Sequence, residues 1–163
     1  MAFALRVLFL LCGISGVATV AWSDSYYDAG CCPKGWAQLD NYCFIFKREA
    51  TTFEKAEHDC QKHGGNLVSI HSSLESLFVL GLLEQVPAEF AWIGLHDPAE
   101  DGDFRWTDNT NFDFDKFSYG QPSDHGSCVV IYVAGEWFVK PCTLEKPYVC
   151  IKDTSCCANR ETA

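Results

Sequence analysis

The sequence has no Asn-x-Ser/Thr sequon, so no N-linked glycan is expected. It also has no Gly-x-Ser-x-Gly, His-Glu-x-x-His or Cys-x-x-Cys, and so lacks the local signatures of serine hydrolases, zinc proteases and dithiol redox enzymes. Asp124-His125-Gly126-Ser127 has the letters of a hydrolase triad. Neighbours on one loop do not hold triad geometry, and geometry is what defines a triad. His58 and His63 lie five apart and do not share a helical face. The sequence therefore reads as a non-enzyme. Basic residues are scarce: 12 Lys and Arg stand against 22 Asp and Glu, a net charge of −10. That balance argues against nucleic acid and against anionic membrane surfaces. Beyond residue 21 no apolar run is long enough to span a bilayer. There is no internal repeat.

The chain has 163 residues, the size of one domain. Residues 1–21 read as a secretory signal peptide: Arg6 supplies the basic start, residues 7–12 the apolar core, and Thr19-Val20-Ala21 the small-residue cleavage site. Ala18 and Ser23 are nearby alternatives for cleavage. Gly13, Ser15 and Gly16 interrupt the apolar run, which disfavours a membrane anchor. Cleavage removes Arg6 and Cys12. It leaves a net charge of −11 and nine of the ten cysteines. An exported chain is expected to be extracellular and to form disulfides. Residues 22–31 are a short polar and tyrosine-bearing lead, 32–152 the domain, and 153–163 a polar tail holding Cys156 and Cys157.

Trp92-Ile93-Gly94-Leu95, after Phe90-Ala91 and before His96-Asp97-Pro98, reads as a buried strand at the centre of the domain. Residues 96–127 follow as a long loop of Asp, Asn, Gly, Ser and aromatics. Loops of that length inside a compact domain are usually functional or disordered. Upstream, residues 36–46 read as a strand or hairpin turning at Asp40-Asn41. Cys43 can close back on Cys32. Thr51-Thr52-Phe53-Glu54 reads as a capping box opening a helix whose inner face is Phe53, Ala56 and Cys60. His63-Gly64-Gly65 ends it, and 66–70 is a short strand. Ser72-Ser73-Leu74-Glu75 is a second capping box, with Leu74, Leu77, Phe78 and Gly81 on one helical face and Val86-Pro87 as the stop. Strands are expected at 128–133, 136–139 and 148–151.

The ordered set of motifs resembles the C-type lectin-like domain family across residues 32–150. Its carriers are Cys32-Pro33 with Gly35-Trp36, Cys43-Phe44, Ala56-Glu57 with Cys60, and the run Gly65-Asn66-Leu67-Val68-Ser69-Ile70-His71. Trp92-Ile93-Gly94-Leu95, Phe104-Arg105-Trp106-Thr107-Asp108, Cys128, Cys142 and Tyr148-Val149-Cys150 complete it. The resemblance implies an α+β fold: two helices, two small antiparallel sheets and a long loop region, stapled by Cys32–Cys43, Cys60–Cys150 and Cys128–Cys142. It also implies that the chain ends meet.

Sugar-binding members of the family hold Ca²⁺ with oxygens of a Glu-Pro-Asn or Gln-Pro-Asp triplet, a Glu before the next cysteine, and a Trp-Asn-Asp triplet. Two sugar hydroxyls complete the shell. Here the first triplet is Gln121-Pro122-Ser123, with a cis proline implied at Pro122. Gln121 is the galactose-leaning variant. Gly126-Ser127 precede Cys128 and leave the Glu without a counterpart. Trp137-Phe138-Val139 replaces the last triplet. One of five ligand positions survives, and no calcium cage and no cofactor is expected there. A second family calcium position maps near Asp97, Asp101 and Asp124. A weak, solvent-facing ion is one reading of these acids; hydration of a long loop, together with Asp103, Asp113 and Asp115, is the favoured one.

The expected function is recognition of a glycan or an extracellular protein, with Gln121, Ser123, Asp124, Phe117 and Tyr119 as ligand-binding candidates. Among the loop aromatics Phe104, Trp106, Phe112, Phe114, Phe117 and Tyr119, Trp106 is assigned to the core. The alternatives are an acidic mineral-associated protein or an ice-contacting one. The ice-contacting subgroup carries extra loop cysteines, and here none lies between Trp92 and Cys128. Three cysteines stand outside the implied pairs. Cys31 can reach Cys156 or Cys157 in its own chain; adjacent cysteines sit too close, about 3.8 Å, to bridge each other. The odd thiol points to a disulfide-linked homodimer. A free or capped thiol and a double interchain bridge are the alternatives.

Overall fold

The computed structural model describes residues 31–84, 89–123 and 126–154. The signal peptide, the lead before Cys31, Val86-Pro87, Asp124, His125 and the tail with Cys156 and Cys157 lie outside the described residues.

The chain opens with the hairpin β1 (Ala37–Leu39) and β2 (Tyr42–Thr51), turning at Asp40, whose φ is +50°. Helix α1 (Phe53–Lys62) follows, then β3 (Asn66–Leu67) and α2 (Ser73–Leu83). The central strand is β4 (Phe90–His96), with β5 (Arg105–Trp106) inside the long loop. β6 (Cys128–Tyr132), β7 (Trp137–Lys140) and β8 (Lys146–Asp153) return the chain to the N-terminal hairpin. Antiparallel ladders form two groups: β1, β2, β3 and β8 around the termini, and β4, β5, β6 and β7 under the loop. A single parallel pair, Trp92 with Tyr148, joins the groups into one eight-stranded mixed sheet.

β4 alternates between two cores, as a strand covered on both faces must. Ala91, Ile93 and Leu95 pack with Phe44, Val79, Trp106, Trp137 and Val149. Trp92 points the other way, onto Phe53, Cys60, Tyr148 and the Cys128 side chain. The Trp92 indole N–H donates to the Thr51 carbonyl at 3.0 Å. Trp106 and Trp137 are also fully buried, but their indole nitrogens have no hydrogen-bond acceptor; aromatic edges surround them instead. The three implied disulfides are present: Cys32–Cys43, Cys60–Cys150 and Cys128–Cys142. Cys31 is disulfide-bonded too, while Cys156 and Cys157 lie outside the described residues.

The inner face of α1 is Phe53, Ala56 and Cys60, as its spacing requires. Its C-terminus is a Schellman motif: Gly65 N donates to Cys60 O, Gly64 N to Gln61 O, and Gly64 takes φ +79°. The start differs from the expected capping box. Thr51 belongs to β2, paired with Lys146, so Thr52 is the N-cap and makes no side-chain cap bond. The orphan Phe53 N–H is met by the Cys142 carbonyl at 3.1 Å. The strand expected over 66–70 is confined to two residues, because Val68 N bonds Val149 O and Val68 O then turns to accept Gly94 N.

α2 corrects the sequence more sharply. Ser72 caps it through Glu75 N, yet the buried face is Ser76, Val79 and Leu83. Leu74 and Leu77, expected inside, are 58% and 65% exposed, and Gly81 is exposed beside them. The segment Ser73–Leu83 is apolar nearly all round, so its pattern carries almost no phase; packing against β2, led by Phe78 on Phe44 at 5.0 Å, sets it instead.

Candidate functional site

The long loop is ordered by its own acids. Asp97 is buried at the end of β4 and accepts the N–H groups of Gly102 at 2.8 Å and Asp101 at 3.3 Å. Desolvation pushes its carboxyl upward. The N–H groups of Gly102, Asp101, Glu100 and Ala99 together outweigh that and hold its pKa below the ordinary range. Asp101 in turn accepts Asp103 N, and Asp103 pairs with Arg105. So Asp97 and Asp101 spend their oxygens on the loop backbone. Asp124 lies outside the described residues, and among those described no group of three or more His, Cys, Asp or Glu is placed to hold a metal ion.

Further along, residues 116–118 lie beside β7. Trp137 N donates to Lys116 O at 2.9 Å, and Ser118 N donates to Trp137 O at 3.1 Å. The chain then turns, with Gly120 at φ +79° and Gln121 N bonded to Ser118 O. Tyr119 sits at the corner of this turn and is fully exposed. Gln121 follows with a cis bond to Pro122, the isomer the resemblance implies. Its side-chain oxygen accepts Val139 N at 2.7 Å. The amide thus continues the β7 ladder where the backbone has turned away.

This contact bears on how well the site fits calcium. The one ligand position retained from the family pattern is spent on a backbone N–H. Ser123 offers a neutral hydroxyl, Phe138 packs on Phe90 and Tyr132, and Val139 is in the core. Ca²⁺ needs six to eight hard oxygens, several of them charged. The residues present do not fit the ion, and no step of recognition is routed through it.

The remaining candidates separate by burial. Phe117 is half-buried against Trp137, Phe104 and Phe112, and Phe114 also packs on Trp137. Phe117 thus has one side packed on the core and the other at the surface. Tyr119 and Phe112 remain outside, Phe112 at 39%. Ser123 lies on a cleft of about 370 Å³ with Asp97, Glu100, Phe104, Pro122 and Ser127. Glu100 accepts the Ser127 hydroxyl at 3.1 Å across it. A second cleft, of about 300 Å³, was not anticipated; Tyr42, Ser69, His71, Glu75, Asp108 and Thr110 are among its walls. Its signal in the sequence was the run Ser69-Ile70-His71 itself, there used only for recognising the fold.

The family model of the lectin C-type domain matches residues 49–152. This chain belongs to the C-type lectin domain family. It is 31% identical over 152 residues to the galactose-specific lectin nattectin of Thalassophryne nattereri, covering 90% of this chain and 93% of nattectin. It is 33% identical over 129 residues to the human versican core protein, covering 76% of this chain but 4% of versican. Among solved structures, a calcium-independent type II antifreeze protein superposes with a TM-score of 0.69 at 31% identity, over 75% of this chain and 94% of that one. The C-type lectin fold is thus shown twice, by sequence and by shape. Among the described residues no helix is long and apolar enough to cross a membrane.

Proposed function

We propose that this C-type lectin domain protein is exported and binds a glycan or an extracellular protein through the outer face of residues 97–127, without the family's principal calcium cage. The observation that carries the reading is the Gln121 Oε1 bond to Val139 N, which turns the last retained ligand oxygen toward the β7 backbone. The contact surface is Tyr119 with the cleft at Ser123, an exposed aromatic beside convergent polar groups. The relative whose name states a galactose specificity makes galactosides the first probe. A glycan array run with Ca²⁺ and with EDTA tests the proposal. Binding equal in both supports it; galactoside binding that vanishes in EDTA overturns it. A blank array moves the search to protein ligands.

A second reading has one specific observation behind it, the superposition on a calcium-independent antifreeze protein. Thermal hysteresis at millimolar protein separates it from glycan recognition. The odd cysteine count supports a covalent homodimer, which would give a weak site two-point attachment. Non-reducing electrophoresis of the exported protein reads this directly: a band at twice the monomer mass is expected, and a single monomer band ends the idea.

A further inference from the structure

His71 is held from both ring nitrogens. Nδ1 lies 2.8 Å from Asp113 Oδ1, and Nε2 lies 3.1 Å from Thr110 Oγ1. Thr110 Oγ1 is also 2.6 Å from Asp108 Oδ1, and the Asp108 carboxylate accepts from the buried Ser69 hydroxyl. Five side chains thus form one hydrogen-bonded chain. It runs from the β3–α2 junction, which carries Ser69 and His71, to the long loop, which carries Asp108, Thr110 and Asp113.

Counting protons along this chain gives a definite answer. A neutral imidazole has one N–H. If that N–H faces Asp113, Nε2 needs a proton from Thr110. The single Thr110 hydroxyl proton already has a carboxylate acceptor in Asp108 at the shorter distance. If the N–H faces Thr110 instead, the bare Nδ1 meets the Asp113 carboxylate. Either neutral tautomer leaves one contact between two acceptors. Only the imidazolium satisfies both, donating to Asp113 and to Thr110 while Thr110 donates to Asp108.

We infer that His71, Asp113 and Thr110 form a pH-operated clasp that ties the long loop to the start of α2 when His71 is protonated and releases it when His71 is neutral. The carboxylates facing the ring favour the protonated state, and Lys152, the one cation lining the cleft, opposes it. Asp113 and Asp108 come from the loop, and Glu75 of α2 accepts the His71 backbone N–H. Asp153 and Lys152 of β8 and Tyr42 of β2 share the cleft. The hydrogen bond from His71 lowers the Asp113 pKa, which favours the Asp113 carboxylate as the partner of the imidazolium. The sign follows from the proton count: the tie is made when the imidazole carries both protons and is lost as rising pH removes one.

Amide hydrogen exchange on the full mature chain tests this, with rates corrected for the intrinsic pH dependence. Protection over residues 108–114 should fall by about two- to fivefold between pH 5.5 and pH 8, the scale of a partly exposed ion pair. Strand β4 should be unchanged. His71→Gln should abolish the difference, and Asp113→Asn should shrink it and lower the His71 midpoint in an NMR titration. Equal protection at both pH values in the unmodified protein overturns the inference. So does a pH difference that persists in His71→Gln. If His71→Gln does not fold, the Asp113→Asn titration decides alone, and an unmoved midpoint rejects the clasp.

Discussion

The base of the domain and its long loop use the same kinds of polar groups in opposite ways. In the base, side chains reach across long stretches of sequence. Tyr148 donates to Asp59 at 2.7 Å over 89 residues, Trp92 to Thr51 over 41, and Glu57 receives Asn66 and Leu67 from beyond the helix end. In the loop most such bonds are local. Asp97, Asp101, Asp103 and Asp108 each bond a partner within five residues. A long-range bond defines the fold; a local one shapes a surface. The loop is tied to the body at few points, chiefly Ser69–Asp108, His71–Asp113, residues 116–118 along β7, and Gln121–Val139.

The largest test of this contrast is removal of the Cys60–Cys150 bridge, which closes 90 residues. Replacing both cysteines with Ala should cost about 4–5 kcal/mol on the chain-entropy model, read by denaturant titration. A loss comparable to that of a loop substitution would dissolve the distinction. Next is Phe117→Ala against Tyr119→Ala. The first should lose about 2–4 kcal/mol because its ring packs on Trp137. The second should leave the melt within about 0.5 kcal/mol and weaken ligand binding.

Tyr148→Phe should cost about 1–2 kcal/mol at neutral pH, since it removes a hydrogen bond to a charged group. It also sharpens the comparison through pH. The Tyr148 hydrogen bond, opposed by burial and aided by Lys47, lowers the Asp59 pKa. A lowered carboxyl contributes stability above its unfolded value, near 3.8, and loses it as pH falls through the folded one. Tyr148→Phe should therefore flatten the acid limb of the stability profile below about pH 4. The smallest expected effect is calcium itself. Melts in millimolar Ca²⁺ and in EDTA should nearly coincide, because a weak site adds only RT ln(1 + [L]/Kd). A shift above about ten degrees would show that the loop holds a cage after all.

The base was far more legible in the sequence than the loop. Cysteine spacing, the Trp92 strand and the Phe53, Ala56, Cys60 face are periodic or covalent signals, and they carry the family resemblance that implies the fold. The phase of α2 was not readable: Leu74 and Leu77 are as apolar as Val79 and Leu83, and only the neighbouring sheet distinguishes them. Thr51 illustrates the same limit, since a sequence reads as a cap what a strand has already claimed. In the loop, degeneracy of the calcium pattern was visible letter by letter. That Gln121 turns inward to Val139, or that Phe117 is wall and Tyr119 corner, depends on how residues 116–121 run against β7. The His71 chain escaped because its members are 39 and 42 residues apart.

The placement of the Cys60–Cys150 bridge also determines what the protein does under tension. β2 and β8 are antiparallel neighbours, and Tyr42 faces Asp153 at the end of the ladder, where β2 turns back into β1 and the Cys32–Cys43 bridge ties the N-terminal side to β2. Pulling on residues before Cys32 and after Asp153 therefore loads β2 at Cys43, opposite Lys152, and peels β8 away one rung at a time rather than shearing it. Peeling along β8 reaches Cys150 at its pairing with Ile45, and from there the load passes through the sulfur atoms to Cys60. The residues enclosed between those cysteines, the long loop among them, are bypassed. A molecule tethered at its ends in a flowing fluid would lengthen at its hem while its long loop carried no force.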